Sequence, residues 1–317
     1  MKRLLLIGIN FYSYITEIRA AYERLSFAVD YHPIEDIGFW SKTEKRFSKA
    51  SYRARVDRYH ADIIRQTATI SYDVVLFIQV HQFSFENIAA LKQTQPQARF
   101  VLYNWDSIAT HDYRPYRSFF DKVATFDPQD AQALGVDYLP LFAVPAYFDI
   151  RHDQKPDYDI YFVGTIGTMH RFNALKRLFD YCEARGIATK FHLKCNPGGR
   201  VMLWRHGAHM PGVTSASLSF AQIIDLIERS RASFDFANHK QSGYTMRFIE
   251  NMCAGRKIIT ENARVLNEPF YRPDRFLVVK DYDFSEIREF LDTPITSELN
   301  VAAFSVDRWA ETLVEGR

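Results

Sequence analysis

The sequence predicts an α/β protein built from two Rossmann-like domains that face each other across a cleft. Three observations support this prediction. Short apolar runs alternate with longer amphipathic runs along the 317 residues, as in βαβ units. A proline-containing segment, residues 140–156, interrupts the alternation near the middle of the chain. The alternation then restarts, so we predict domains of residues 1–148 and 149–317.

The first half has the element order of a parallel sheet covered by helices. Residues 73–80 (DVVLFIQV) form a continuous apolar run, which predicts a strand buried on both faces. Ser84 is a candidate N-cap for the helix that follows. The pattern predicts strands at residues 4–9, 73–80, 99–103, 122–126 and 138–141, and helices at residues 14–27, 53–67 and 84–92.

The second half repeats this order. Gly186 ends one predicted helix, and Asp283 and Glu286 have the spacing of a capping box at the start of another. The prediction leaves open whether the last helix packs back on the first domain. Strands are predicted at residues 159–163, 190–194, 232–236 and 257–260, and helices at residues 171–185, 220–229 and 245–253.

Composition and charge exclude several classes of protein. The net charge of +2 argues against non-specific nucleic-acid binding, so we predict no nucleic-acid partner. The three cysteines are far apart and form no CxxC pair, which predicts reduced thiols in a cytoplasmic protein. No apolar run approaches the roughly 18 residues that span a bilayer. Any membrane contact is therefore predicted to be peripheral, at the inner membrane.

Residues 38–51 (GFWSKTEKRFSKAS) differ from the rest of the first half. They mix basic, hydroxyl and aromatic side chains without a helical or strand period. Two interpretations remain open: a loop that binds the acceptor or touches a membrane, and a solvated linker.

The most informative segment is residues 241–260 (QSGYTMRFIENMCAGRKIIT). Ser242 and Gly243 form a polar turn, Tyr244 follows, and a helix begins near Thr245. The N–H groups at a helix N-terminus and the helix dipole favour an anion, so the segment predicts a phosphate site.

Two charged residues on this helix are candidate ligand contacts. Arg247 could contact a diphosphate with two hydrogen bonds, and Glu250 could accept hydrogen bonds from ribose hydroxyls. Glu250 lies off the apolar stripe of Met246, Ile249 and Cys253, so we expect it on the cleft face. The alternative is a surface ion pair at i,i+3 spacing.

This segment resembles the donor-binding half of GT-B glycosyltransferases. In many of them a glutamate is followed five residues later by a glycine and then by an apolar strand. Here Glu250 is followed by Gly255 and by the predicted strand of residues 257–260. The arrangement of Gly243, Arg247 and Glu250 is similar to bacterial transferases that assemble lipopolysaccharide or capsule. Shorter pieces that fit the same family lie at residues 103–108, 121–131, 138–142 and 161–165.

One departure from the family pattern affects the predicted chemistry. Many retaining members have a second glutamate eight residues before the first, where this chain has Ser242. The donor sugar and the stereochemical outcome therefore stay open. The same departure motivates an alternative, a non-catalytic nucleotide-sugar-binding protein of an assembly machine.

Further donor-binding residues are implied by the resemblance. The turn after the first strand of the second half would lie near the donor phosphates, and Lys194 could neutralise a diphosphate. An ordinary βα turn is the alternative. The full predicted donor set is Gly164, Thr165, His170, Arg171, Lys194, Ser242, Gly243, Tyr244, Thr245, Arg247 and Glu250.

Asp106 is the candidate general base. It follows the third predicted strand of the first half, where a carboxylate could take the proton from an acceptor hydroxyl. A turn or capping role is the alternative. Glu17, in the first helix, is the second candidate catalytic residue. Trp105 is either a sugar-stacking or a core residue.

No metal site is predicted. Asp157 and Asp159 open a buried strand, and Asp281 and Asp283 precede a helix, so neither DxD triplet reads as a metal ligand set. The histidines have no HxxxH or HExxH spacing.

These features together predict a metal-independent glycosyltransferase of surface-polysaccharide assembly. The resemblance implies a nucleotide-sugar co-substrate, predicted to be a UDP-sugar, with no separate cofactor, and a glycan or lipid-linked acceptor. A nucleotide-sugar 2-epimerase uses the same scaffold and is the second alternative.

Overall fold

The computed structural model describes residues 1–10, 14–35, 48–152, 155–236 and 241–315. The chain divides into two compact units. The first comprises Met1–Phe142, Asn238–Tyr244 and Ala303–Arg317, and the second comprises Ala143–Ala237 and Thr245–Ala302. The end of the chain thus belongs to the first unit.

The first unit contains a six-stranded parallel sheet in the order β2-β1-β3-β4-β5-β6. From β1 the chain moves outward to β2 and then crosses to the opposite side of β1 for β3. The strand order therefore reverses between β1 and β3. The strands are β1 (Lys2–Gly8), β2 (Phe27–Pro33), β3 (Val74–Ile78), β4 (Arg99–Asn104), β5 (Lys122–Thr125) and β6 (Asp137–Tyr138).

The second unit contains another six-stranded parallel sheet, in the order β12-β11-β10-β7-β8-β9. Here the chain builds outward from β7 on one side and returns to the other side of β7 for β10. The strands are β7 (Tyr158–Thr165), β8 (Thr189–Lys194), β9 (Val213–Thr214), β10 (Ser230–Asp235), β11 (Lys257–Thr260) and β12 (Phe276–Val278).

Helices connect the strands of both sheets. Most begin at a Ser, Thr, Asn or Asp whose side chain accepts a hydrogen bond from a backbone N–H of the first turn. The described helices are α1 (Tyr14–Arg24), α2 (Lys49–Thr67), α3 (Phe85–Thr94), α4 (Pro128–Leu134), α5 (Pro145–Phe148), α6 (Met169–Glu183), α7 (Pro197–Arg205), α8 (Phe220–Glu228), α9 (Met246–Cys253), α10 (Ile287–Asp292) and α11 (Val306–Val314).

The predicted fold class is confirmed, and three local predictions need correction. Helix α1 ends at Arg24, and the missed strand β2 follows it; within β2 only Phe27 is fully buried, as expected of an edge strand. Helix α10 begins four residues after Asp283, whose carboxylate accepts a hydrogen bond from the Ser285 N–H (2.9 Å) instead of capping the helix. The proline-containing segment includes the short helix α5.

The structure bears only partly on the predictions about the segment 38–51 and about membrane-spanning helices. Most of the segment 38–51 lies outside the described residues, so both interpretations of it stay predictions. Within the described ranges, no helix has the length and apolarity needed to cross a bilayer.

His60 makes the stability of the first unit depend on pH. Its ring is buried, stacks on Phe83 with centroids 3.6 Å apart, and its Nε2 lies 2.8 Å from the Ile34 carbonyl oxygen. Burial lowers the pKa of His60 to about 4. His60 is therefore protonated near pH 6.5 in the unfolded chain but only near pH 4 in the folded chain.

We expect the free energy of unfolding to fall by about 3 kcal/mol between pH 6.5 and pH 4 because of this one residue. Chemical denaturation of His60→Gln across this range should show a shallower decline than the wild type. The matched control is His209→Gln, which replaces a histidine that is not buried. Parallel curves for the wild type and His60→Gln would contradict the assignment.

Candidate functional site

The strand order of the second sheet reverses between β7 and β10. Outside the carboxyl ends of β7 and β10, connections leave in opposite directions, which opens a ligand site in sheets of this type. Gly164 and Thr165 end β7, and Asp235 ends β10. Lys194 pairs with Thr165 in register across β7 and β8. Four residues of this edge, three of them predicted, are thus brought to one place.

Asp235 organises this edge and was missed by the sequence analysis. Its buried carboxylate accepts hydrogen bonds from the hydroxyls of Thr245 (2.6 Å) and Thr260 (3.0 Å). Burial raises the pKa of Asp235, while the two hydroxyls and the nearby Arg171 oppose the rise. The available signal was its position, an acidic residue at the carboxyl end of a strand beside the reversal point.

Thr245 fixes the start of helix α9 to this sheet edge. Its hydroxyl donates to Asp235 and accepts a hydrogen bond from the Phe248 N–H (3.1 Å), which makes it the N-cap. The predicted helix start at Thr245 is therefore confirmed. The preceding Tyr244 is buried and belongs to the first unit.

Arg171 supplies a cation to the same edge. Its guanidinium lies over the rings of Phe162 (5.6 Å) and Phe236 (5.4 Å), and its buried Nε has no hydrogen-bond partner among the described residues. Burial lowers the pKa of Arg171, and the carboxylate of Asp235 opposes this. A Cβ at Gly164 would lie 2.8 Å from the Phe162 ring and 3.0 Å from Nη2 of Arg171, so glycine permits this packing.

The other predicted side chains of this edge have defined partners. Lys194 Nζ donates to the Ser217 hydroxyl (2.6 Å), and His170 Nε2 lies 3.3 Å from the Tyr282 hydroxyl. Glu261, which directly follows β11, was not predicted; burial and the charge of Asp235 raise its pKa to about 7.

Arg247 and Glu250 form an ion pair, with 2.5 Å between Nη1 and Oε2. The side chains are 21% and 3% exposed, so the pair is not at the surface. Glu250, which we expected on the cleft face of helix α9, is buried, as is every residue of that helix from Phe248 to Cys253. Burial raises the pKa of the Glu250 carboxyl. The hydroxyls of Tyr147 and Tyr161 also lie close to Arg247.

Ser242 and Gly243 contact Asp127 in the first unit. The Ser242 N–H and hydroxyl donate to the Asp127 carboxylate at 2.6 and 2.5 Å, and the Gly243 N–H donates at 3.4 Å. A Cβ at Gly243 would lie 2.6 Å from the Phe126 carbonyl oxygen, so glycine allows the close approach. These contacts occupy the donor groups of Ser242, and the donor-binding role of both residues stays a prediction.

The first unit has a cavity of about 520 Å³ where its own strand order reverses, between the carboxyl ends of β1 and β3. Polar and charged side chains from five parts of the chain line it. It is lined by Ile9, Asn10, Pro33, Ile34, Glu35, Tyr52, Arg53, Val56, Gln79, His81, Gln82 and His111.

Asp106 lies beside this cavity, close to two of its lining residues, Gln79 and His111. Gln79 donates to its carboxylate, as does Gln241 (3.1 Å), and His111 Nε2 lies 3.8 Å away. Gln79 has φ of 67°, a left-handed conformation unusual for its type. His81 stacks on His111 with centroids 3.6 Å apart. The sequence analysis found Asp106 and missed both histidines.

Glu17 and Trp105 have different surroundings. Glu17 is half-buried in the first turn of α1 and does not line the cavity. Trp105 is buried and packs edge-on against Tyr14 (6.3 Å) and Phe142 (5.5 Å), so it is a core residue.

Both aspartates of the first acidic triplet are paired with arginines. Asp157 accepts from Arg229 (2.5 Å), and Asp159 accepts from Arg231 (2.8 Å). Among the described residues, no group of three or more His, Cys, Asp or Glu side chains could hold a metal ion.

Comparison with solved structures identifies the architecture of the chain. The chain aligns with OtsA in its apo form at a TM-score of 0.64 and 11% identity, covering 99% of this chain and 98% of that one. It aligns with S. aureus MnaA bound to UDP at 0.57 and 12%, covering 99% and 95%. It aligns with the lipopolysaccharide outer core galactosyltransferase WaaB at 0.50 and 14%, covering 98% and 95%. The chain has the GT-B fold.

The predicted resemblance to GT-B glycosyltransferases is confirmed at the level of the fold. No protein-family model matches the sequence, and no curated protein matches it. At identities of 11–14% the structural likeness establishes the GT-B fold alone.

Proposed function

We propose that this GT-B protein transfers a sugar from a nucleotide-sugar to a hydroxyl of a glycan or lipid-linked acceptor. The observation that supports this most is the edge of the second sheet, where the Arg171 guanidinium lies beside the glycine-containing end of β7. A half-buried guanidinium at a strand-order reversal, whose Nε has no hydrogen-bond partner in the described part of the chain, suits the diphosphate of such a donor.

The donor diphosphate leaves with negative charge, and this edge can stabilise that charge. Arg171 and Lys194 supply cations from neighbouring elements, and helix α9 begins at the same edge with Thr245 as its cap. The protein supplies this charge without a metal in our proposal. UDP is the proposed nucleotide, because the structurally similar MnaA was solved in complex with UDP.

The acceptor is proposed to bind in the cavity of the first unit. Asp106, beside that cavity, takes the proton of the attacking hydroxyl, and His111 lies close enough to respond to its charge. The likeness to an outer core galactosyltransferase supports an acceptor of the lipopolysaccharide type. The three cysteines are buried and unpaired, which supports a cytoplasmic protein.

A nucleotide-sugar 2-epimerase is the second candidate function. A protein from Listeria monocytogenes that is assigned as a UDP-N-acetylglucosamine 2-epimerase aligns with this chain at a TM-score of 0.56 and 12% identity, covering 97% of this chain and 94% of that one. NMR of a UDP-sugar incubated with the protein separates the two functions. Appearance of an epimer without acceptor favours the epimerase, whereas release of UDP favours the transferase.

Isothermal titration with UDP, TDP, GDP and CMP tests the shared premise of both functions. We expect saturable binding of at least one of these nucleotides. If none of the four binds at millimolar concentration, the proposed function is wrong.

Replacement of Arg171 should weaken nucleotide binding. A charge-assisted hydrogen bond contributes about 1.5–3 kcal/mol, so we expect the UDP dissociation constant of Arg171→Ala to rise by roughly 10- to 100-fold. Arg177→Ala is the matched control, because Arg177 is an exposed arginine on the same helix α6. Equal affinities for the two variants, measured by titration at equal melting temperature, would exclude Arg171 from the donor site.

Glu261 should make nucleotide binding depend on pH. Its pKa is raised to about 7, so the carboxyl is mostly charged above pH 7 and mostly neutral below it. A neutral Glu261 repels a diphosphate less, so UDP affinity should increase as the pH falls from 8 to 6. The Glu261→Gln variant should bind with a flatter pH profile. An unchanged profile in that variant would contradict the assignment.

A further inference from the structure

The second unit has a long stretch without acidic residues. Between Glu183 and Asp225 the sequence contains no Asp or Glu. The same stretch contains five basic residues and three histidines, so this part of the chain is locally cationic although the net charge of the protein is only +2. The basic residues are Arg185, Lys190, Lys194, Arg200 and Arg205.

Helix α7 lies in this stretch and turns large apolar side chains outward. Trp204 is 76% exposed and Val201 48% exposed, whereas Leu203 is buried against the unit. Arg200 and Arg205 are exposed as well. At 100° per residue, these four exposed side chains share one arc of about 140° on the helix.

A hollow of about 480 Å³ adjoins this face. Trp204 forms part of its wall, together with the apolar residues Ala208, Met210 and Pro211. The α7 face, as we call the arc of Arg200, Val201, Trp204 and Arg205, therefore joins an apolar depression. Exposed tryptophan between arginines, without acidic neighbours in the sequence, is typical of surfaces that lie in the headgroup region of anionic bilayers.

We propose that the α7 face docks the protein on an anionic lipid surface. The two arginines contact lipid phosphates, and Trp204 and Val201 enter the boundary between headgroups and acyl chains. This surface differs from the segment 38–51 that the sequence suggested for membrane contact. The proposal goes beyond the proposed function and does not depend on it, because no donor-site residue lies on the α7 face.

Sedimentation with phosphatidylcholine vesicles, with and without phosphatidylglycerol, tests the proposal. We expect the wild type to bind only the vesicles that contain phosphatidylglycerol. Each basic side chain near an anionic surface contributes to the binding affinity, and the loss of two such side chains lowers the affinity by about 30-fold. We therefore expect no detectable vesicle binding by Arg200→Glu/Arg205→Glu. Trp204→Ser should bind about tenfold more weakly, because it loses the inserted ring.

The matched control is Lys2→Glu/Arg19→Glu, which changes two basic residues of the first unit. Both double variants shift the net charge from +2 to −2, since each substitution removes one positive charge and adds one negative charge. We expect the control to bind vesicles like the wild type. Equal loss in both double variants would show dependence on net charge alone and overturn the proposal.

Four other results would overturn it. The first two are failure of the wild type to bind either kind of vesicle, and vesicle binding by Trp204→Ser that equals that of the wild type. The third is tighter binding of single-stranded RNA than of vesicles. The fourth is a wild-type protein that forms a dimer and that Trp204→Ser converts to a monomer. UDP titration of each variant keeps this test separate from the proposed function. Loss of vesicle binding with unchanged UDP affinity supports the docking surface, whereas absence of UDP binding in the wild type bears only on the function.

Discussion

Glu250→Ala should weaken nucleotide binding and destabilise the fold at the same time. The substitution leaves Arg247 without its ion-pair partner in a largely buried position. Breaking a buried pair by removing one member typically costs about 3–5 kcal/mol, and the 21% exposure of Arg247 places our expectation near the lower value, about 3 kcal/mol. If Glu250 also holds the ribose, UDP affinity should fall by about 2–4 kcal/mol. Chemical denaturation and titration measure the two effects separately.

A second ion pair in the chain offers a matched control. Arg308 and Glu311 have the same i,i+3 spacing and the same 2.5 Å distance, but their side chains are 52% and 42% exposed. Glu311→Ala should therefore cost at most about 1 kcal/mol and leave UDP binding unchanged. If Glu250→Ala is no more destabilising than this control, the buried pair is not structural.

The double variant Arg247→Leu/Glu250→Leu separates structure from recognition. Apolar residues can replace a buried ion pair without loss of stability, so the double variant should recover most of the unfolding free energy lost by Glu250→Ala. It should not recover UDP affinity, because leucine cannot accept a hydrogen bond from a ribose hydroxyl. Recovery of both properties would show that Glu250 serves packing alone, and this would remove the main sequence argument for a nucleotide-sugar donor.

The predictability of the fold depended on whether burial and local pattern agreed. Strand β3 is buried at every position, so its apolar run marked it clearly. Strand β2 follows α1 almost directly and includes Asp30 and His32, so its sequence does not have the apolar pattern that predicts a strand. Helix α7 begins with Asn196 as its cap and Pro197 in its first turn, but the two glycines that follow disfavour helix, so the pattern did not mark one there.

The candidate site was predictable mainly where position at a strand end or at the helix start that follows a strand determined it. Gly164, Lys194 and Asp106 lie just at or after strand ends, and parallel strands bring such ends to one edge of each sheet. The surroundings of the Arg247–Glu250 pair were not predictable, because Tyr147 and Tyr161, whose hydroxyls lie close to Arg247, are distant in sequence. His111 follows Asp106 by five residues without a periodic relation, so no local pattern linked it to the carboxylate.

Asp106→Asn should reduce turnover strongly while leaving UDP affinity unchanged. An amide cannot take the proton from the acceptor hydroxyl, and general-base catalysis typically contributes about 10²- to 10⁴-fold to the rate. The fold should tolerate the change, because the Asn oxygen can still accept a hydrogen bond from Gln79 or Gln241.

The control for this variant is Asp112→Asn, which alters an exposed carboxylate of the same loop, paired with Arg114 at 2.8 Å. Transfer to acceptor, or slow hydrolysis of the donor where no acceptor is known, should persist in Asp112→Asn and nearly vanish in Asp106→Asn. Equal rates in the two variants would exclude Asp106 as the base and direct attention to Glu17. A wild type that binds UDP-sugars but neither transfers nor hydrolyses them would instead fit the non-catalytic alternative, in which the carboxylate of Asp106 only anchors the amides of Gln79 and Gln241.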